Sequence, residues 1–297
     1  MELRQLKYFL KAKELLNFTE AAKHLYITQS TLSQQIKQLE EELGQPLFDR
    51  IGKRISLTEA GERFAVYARK SLDAALDGEL MLKDLNELKT GVLKIGLTWG
   101  LKSLVLTSLK EFTTAYPNVK IEITFGTTNE LIDALNYQLI DFALTFFEGE
   151  HQENLLYQPL LTSEMALIVS TDSSLSNRKA ISFAEIASLK LALPVKGFST
   201  RNFLDRQFEM HNISANIAVE VNHTSTVIDL VRVNAFKTIL TFATVHGETN
   251  ICAIPITDCD MSREAVIITL KESYQKRSVK LFVDLLLTED KQPYKQL

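Results

Sequence analysis

The sequence of 297 residues predicts a multidomain chain: an all-α, winged helix-turn-helix N-terminal domain, a long linker helix and a two-lobed α/β body. Three observations predict it. Two short amphipathic helical patterns between Asn17 and Leu43 are followed by a basic hairpin pattern. An unbroken helical segment then starts at Thr58. From Gly91 onward, strand and helix patterns alternate. The implied divisions are residues 1–57, 58–89 and 90–297, with the lobes of the body at about 90–162 plus 265–297 and at about 163–264.

Each element follows from local chemistry. Leu3, Leu6, Phe9 and Leu10 give a first helix one apolar face, which continues to Leu16. Asn17 is placed to cap a second helix, with Glu20 three residues on reaching back as a capping box, and Ala21, Ala22 and Leu25 form its buried side. Tyr26 and Ile27 break that rhythm. Thr28 then caps a longer helix whose buried stripe is Leu32, Ile36, Leu39 and Leu43. Opposite the stripe lie Gln29, Ser30, Ser33, Gln34 and Lys37, a face of amides, hydroxyls and one lysine that carries no carboxylate. Such groups bond base edges and phosphates, although a polar helix face is more often simply solvated.

Gly44 stops that helix, and Gln45 to Leu57 reads as two short strands around Ile51-Gly52-Lys53, with Arg50, Lys53 and Arg54 concentrating charge near the tip. Beside a helix-turn-helix this hairpin reads as a wing that touches phosphates or a minor groove. Thr58 caps a segment of about 32 residues, roughly 48 Å if helical throughout. Phe64, Ala68, Leu72, Ala75, Leu76, Leu80 and Leu85 lie near one side of it, and a partner helix from a second chain would hide them. In the body, strands are predicted at 92–97, 119–125, 141–146, 165–170, 191–193, 217–221, 238–242 and 251–254, and a return segment at 265–270 then 279–287 is expected to complete the first lobe. Helices are predicted at 101–115, 129–137, 183–187, 201–211 and 226–233. Ligands of open α/β sheets bind beyond the carboxyl ends of strands, which points to 98–103, 126–128 and 145–147.

The net charge of -4 conceals an asymmetry. Residues 1–70 hold 12 Lys/Arg and 9 Asp/Glu, a net of +3, which leaves -7 on the remainder. A mildly basic head on an acidic body fits an N-terminus that meets phosphate. Two cysteines, Cys252 and Cys259, are too few for a secreted disulfide framework, and the charged start MELRQLKYF lacks the apolar run of a signal peptide. The expectation is a cytoplasmic protein with no membrane partner. The phosphate-binding glycine loops, the nucleophile elbow and the metal-binding HExxH pattern are absent, and the five histidines lack ligand spacing, so no catalytic residues and no metal or cofactor are expected.

With these residues in view the chain resembles the LysR-type transcriptional regulators. The specific part is residues 1–61, in RQLKYF, FTEAAKHL, TQSTLSQQIKQLEEELGQPLFDR and LTEAG. A looser likeness runs through YPNVKIEI and LIDALNYQLIDFAL. The resemblance implies a winged helix-turn-helix, a dimerising linker helix and a periplasmic-binding-protein-like effector domain whose cleft takes a small-molecule inducer. It further implies a homodimer or homotetramer on double-stranded promoter DNA, with RNA polymerase as a further partner. Carried over by residue, Thr28, Gln29, Ser30, Thr31, Ser33, Gln34, Lys37, Arg50, Lys53 and Arg54 would contact DNA, with Ser30 standing where many members have proline. Thr98, Gly100, Lys102, Thr128, Phe198, Thr200 and Arg201 fall near the inducer pocket. Thr127, Phe146 and His223 join them by their places at strand ends. Asn234-Ala235-Phe236-Lys237 departs from the family's glycine-rich turn, which implies an altered pocket shape. The rival reading is a cytosolic small-molecule binding protein whose N-terminal domain serves only dimerisation.

Overall fold

The computed structural model describes residues 1–51, 54–84, 91–291 and 294. It divides into two compact units, Met1–Asn86 and Glu87–Leu297.

In the first unit, α1 (Leu3–Leu15), α2 (Phe18–His24) and α3 (Gln29–Leu43) pack around Phe9, Ala21, Leu32, Ile36 and Leu39, all fully buried. Asn17 caps α2 by accepting from the Thr19 and Glu20 N–H groups. The expected capping box does not form, because Lys23 takes the Glu20 carboxylate at 2.9 Å. Tyr26, in a left-handed backbone conformation (φ 55°), turns the chain into α3. Gly44 ends α3 at φ 68°, a conformation that costs glycine nothing. The wing follows as antiparallel strands β1 (Phe48–Ile51) and β2 (Arg54–Leu57). Glu40 of α3 clamps the wing's base by accepting from the Leu47 and Phe48 N–H groups at 2.8 and 3.0 Å.

Thr58 caps α4 (Glu59–Asp84) through the Gly61 N–H. The first half of α4 packs on α1: Ala65 and Ala68 are buried, and Phe64 lies 5.3 Å from Phe9, ring centre to ring centre. A partner helix is therefore not what covers Phe64, Ala68 and Leu72; the chain's own first helix does. Leu76, Met81 and Leu82, farther along, are 51%, 44% and 59% exposed. The side chain of Leu80, and Leu85 with the rest of 85–90, lie outside the described residues.

The second unit opens with β3 (Gly91–Leu97) and two 3-10 turns (Trp99–Leu101 and Ser103–Val105) in place of the expected start of a helix, which begins only at α5 (Leu106–Ala115). Next come β4 (Val119–Phe125), α6 (Thr128–Asn136), β5 (Phe142–Phe146), β6 (Leu155–Ser170), β7 (Ile181–Ser182), α7 (Phe183–Ile186), β8 (Leu191–Pro194) and α8 (Ser199–Met210). The chain continues through β9 (Ile217–Val221), α9 (Thr224–Arg232), β10 (Thr238–Thr241), α10 (Phe242–Val245), β11 (Ile251–Thr257), β12 (Ser262–Leu270) and α11 (Arg277–Thr288). The main sheet runs β4-β3-β5-β12-β6-β11-β7, with β10 also on β6, while β8 and β9 pair separately.

β6 joins the lobes. Leu155 to Glu164 pair with β12, whereas Met165 to Ser170 pair with β10 and β11. The register slips between Ala265 and Val266, opposite Leu161 and Pro159, where proline has no N–H to give. Leu93, Phe112, Phe142 and Phe282 form the first lobe's core, and Leu167, Phe183, Leu204 and Ile239 that of the second. Among the described residues no helix is long and apolar enough to cross a membrane.

Candidate DNA-reading helix and effector cleft

The reading helix α3 is set by its cap. Thr28 Oγ1 accepts from the Thr31 N–H at 3.1 Å and contacts the Ser30 and Thr31 hydroxyls at 2.9 and 2.8 Å, which orders the first turn. Thr28, Gln29, Ser30, Thr31, Gln34 and Lys37 are exposed and Ser33 is half-buried, while Leu32, Ile36 and Leu39 are buried. The face is not wholly free of carboxylate, since Glu41 lies one turn beyond Lys37 with its oxygen 3.5 Å from Nζ. Both groups are exposed, and such a pair is worth little, so a phosphate can take the lysine. In the wing the backbones of Arg50 and Arg54 pair as strand residues, their side chains are not described, and Lys53 lies outside the described residues.

In the second unit the strand ends converge on a narrow cleft of about 20 Å³, open to solvent. Thr98, Gly100, Thr127, Thr128, Phe146, Phe198 and Thr200 line it together with Trp99, which falls in the expected stretch 98–103, and Pro194, Leu240 and Thr244 contribute without any sign in the sequence. None of the lining side chains is charged. Hydrogen bonding rests on hydroxyls and on the N-terminus of α8, whose cap residue Phe198 supplies no side-chain acceptor. Trp99 stacks near Phe125 (5.9 Å) and Phe198 (5.2 Å), making an aromatic wall. Gly100 is required there: a Cβ would sit 2.9 Å from Thr244 Oγ1 and 3.4 Å from the Phe146 ring.

Three expected effector residues lie elsewhere. Arg201 is 4% exposed and held by its neighbours: Nε donates to Asp205 at 2.7 Å, and Nη1 donates to the Pro194 carbonyl at 3.1 Å and to Glu220. Burial opposes its charge, but the bonds to Asp205 and Glu220 prevail and raise its pKa, and it does not line the cleft. Lys102 and His223 line an adjoining hollow beyond Trp99. There Lys102 reaches Glu248 at 3.4 Å, and His223 Nδ1 lies 3.4 Å from Thr226 Oγ1. The turn at Asn234 is made without glycine, asparagine taking φ 56°, and residues 234–237 are not among those that line the cleft. Cys252 and Cys259 are free and half-buried. Burial, aided by Asp258 and Asp260, pushes the Cys259 thiol up to about 11, the opposite of what a reactive thiolate needs.

A capped, exposed reading helix with a wing, joined in one chain to a two-lobed α/β body with a lined cleft, defines a DNA-binding regulator with an effector domain. The comparisons agree. Residues 3–62 match the profile described as "Bacterial regulatory helix-turn-helix protein, lysR family", and residues 86–291 match "LysR substrate binding domain". The HTH-type transcriptional regulator BsdA of Bacillus subtilis is 28% identical over 290 residues, spanning 96% of this chain and all of BsdA. The transcriptional activator CmpR of Synechocystis is 30% identical over 228 residues, 76% of this chain and 74% of CmpR. Among solved structures, full-length CbnR in complex with its target DNA superposes with a TM-score of 0.62 at 25% identity, covering 96% of this chain and 99% of CbnR. Full-length OxyR of Pseudomonas aeruginosa shares the fold at a TM-score of 0.71 and 20% identity, covering 96% and 94%. The chain belongs to the LysR family of transcriptional regulators. It is a DNA-binding regulator of transcription with an effector-binding domain, and not an enzyme.

Proposed function

We propose that the chain acts in the cytoplasm as a dimer or tetramer on promoter DNA, with RNA polymerase as its further partner and a small-molecule inducer in the cleft bounded by Thr98, Thr128, Phe146, Phe198 and Thr200. Gln29, Ser30 and Ser33 read bases, Thr31, Gln34 and Lys37 hold the groove or backbone, and Arg50, Lys53 and Arg54 serve the wing. Residues 58–89 serve as the dimerisation linker between the reading head and an effector domain at 90–297. The observation that carries the reading is the exposed, Thr28-capped polar face of α3 over a packed three-helix core. CbnR, matched along nearly its whole length, is held on its target DNA, which supports the same use here. The uncharged, hydroxyl-lined and aromatic-walled cleft suits a small planar molecule carrying hydrogen-bond acceptors.

The test is a gel-shift titration on DNA from upstream of the protein's own gene, comparing the full chain with one lacking residues 1–57. Salt-sensitive, sequence-dependent binding that vanishes with the deletion is the expected result. A full chain that binds this DNA no better than a scrambled duplex contradicts the reading, and so does a deleted chain that keeps its regulatory effect.

A further inference from the structure

Beside the effector cleft lies a second, more polar hollow of about 240 Å³, open to solvent, lined among others by Glu148, Glu150, Asn202, Arg206 and Arg263. Arg263, on β12 where the chain passes between the lobes, has a side chain with no exposed surface. Its guanidinium lies against the rings of Phe146 and Phe203, at 4.7 and 5.3 Å from their centres. Nε donates to Glu148 Oε1 at 2.6 Å and Nη1 to Thr200 Oγ1 at 3.1 Å. Nη2 is buried and has no acceptor among the described residues.

The reason lies in how Glu148 is shared. Nε and Nη2 form one edge of the guanidinium, the edge that ordinarily takes both oxygens of a carboxylate. Glu148 gives one oxygen to Arg263 and the other to Arg206 Nη2, so neither arginine has a complete partner. A buried cationic N–H left without an acceptor is costly, and a second oxyanion at this place would remove that cost.

We propose that Arg263 and Arg206 form a site for a small oxyanion, a carboxylate or phosphate group, in which Glu148 stands in for the ligand. An anion entering the hollow takes Nη2 of Arg263 together with the Arg206 fork and displaces the Glu148 carboxylate. Glu148 follows β5 in the first lobe and Arg206 belongs to α8 in the second, so the exchange also releases a tie between the lobes. Glu150, on the rim of the same hollow, opposes an anion and keeps the parent's affinity low. The site does not depend on what fills the neighbouring cleft, although Thr128, Phe146 and Ser199 line both.

The test is calorimetric titration of the full-length chain with inorganic phosphate, against sodium chloride at matched ionic strength. Glu148→Gln removes the competing carboxylate and should lower the phosphate dissociation constant by roughly tenfold, a change typical of one charged hydrogen-bonding partner. Arg206→Gln should weaken binding by a similar factor. Arg206 is half-exposed, so this variant keeps the test valid even where a change at the buried Arg263 prevents folding. Phosphate held elsewhere, for instance at the basic wing, would respond to neither substitution. An unchanged dissociation constant in either variant, or no phosphate heat beyond the chloride control, overturns the proposal.

Discussion

At the scale of the residue, the two buried arginines of the body show what a sequence conceals. Arg201 precedes Asp205 by four residues on α8, a spacing that makes an ion pair and was the available sign that its guanidinium is spent locally. Its second partner, Glu220, comes from β9, and only the fold brings it there. Arg263, Glu148 and Arg206 meet from three separate elements, so nothing in their sequence neighbourhoods marks them. The helix caps were legible because they act over three residues: Asn17, Thr28 and Thr58 all cap as their spacing implies. The capping box at Glu20 failed because Lys23, equally local, competes for the same carboxylate.

One residue-scale pair makes a pH prediction. Arg178 and the Ser182 N–H hold the Glu185 carboxyl down to about 2, from an ordinary value of 4.5. A carboxylate depressed in the folded state contributes stability that is fully present above its unfolded pKa and is lost as pH falls through the folded one. Acid denaturation of the parent should therefore include a loss between about pH 4.5 and 2 that Glu185→Gln lacks, read as a flatter stability profile in that window. Identical profiles would remove Glu185 from the account. The contribution is small, because the pair is exposed.

At the scale of the element, α1 to α3, the wing and the outer strands were legible because each is bounded by local turn and capping chemistry. β6 was read only in its second half: Leu155 to Glu164 contain Pro159 and several polar residues, and their strand identity comes from β12, about a hundred positions away. The 3-10 turns after Thr98 were missed because their apolar residues, Leu101, Leu104 and Val105, share a helix's spacing. Gly61 fixes α4 against the head. A Cβ there would lie 2.1 Å from the Leu47 carbonyl oxygen, a backbone atom that cannot move aside cheaply. Gly61→Ala should cost about 1–3 kcal/mol or more in urea denaturation, and a variant as stable as the parent would show that α4 does not sit so closely. For the second half of α4, Leu76→Glu with Leu82→Glu should convert the proposed dimer to monomer in sedimentation velocity without loss of helix signal. An unchanged sedimentation coefficient would assign the pairing surface to another element.

At the scale of the whole molecule, charge, helix exposure and cleft are divided between units with different tasks. The head carries the net positive charge, the reading helix and the wing, while the acidic body carries an uncharged cleft. An effector can influence the head only through its differential affinity for two states of the protein. The family profiles cover both halves, so neither half is an incidental appendage. The central claim is that the polar face of α3 reads the operator, and fluorescence anisotropy at fixed salt tests it most directly. Parent, Gln29→Ala and Ser33→Ala would each be titrated onto the operator and onto a scrambled duplex. Each substitution should cost about 1–3 kcal/mol on the operator and almost nothing on the scrambled duplex. Variants that discriminate between the two duplexes as well as the parent does would contradict it.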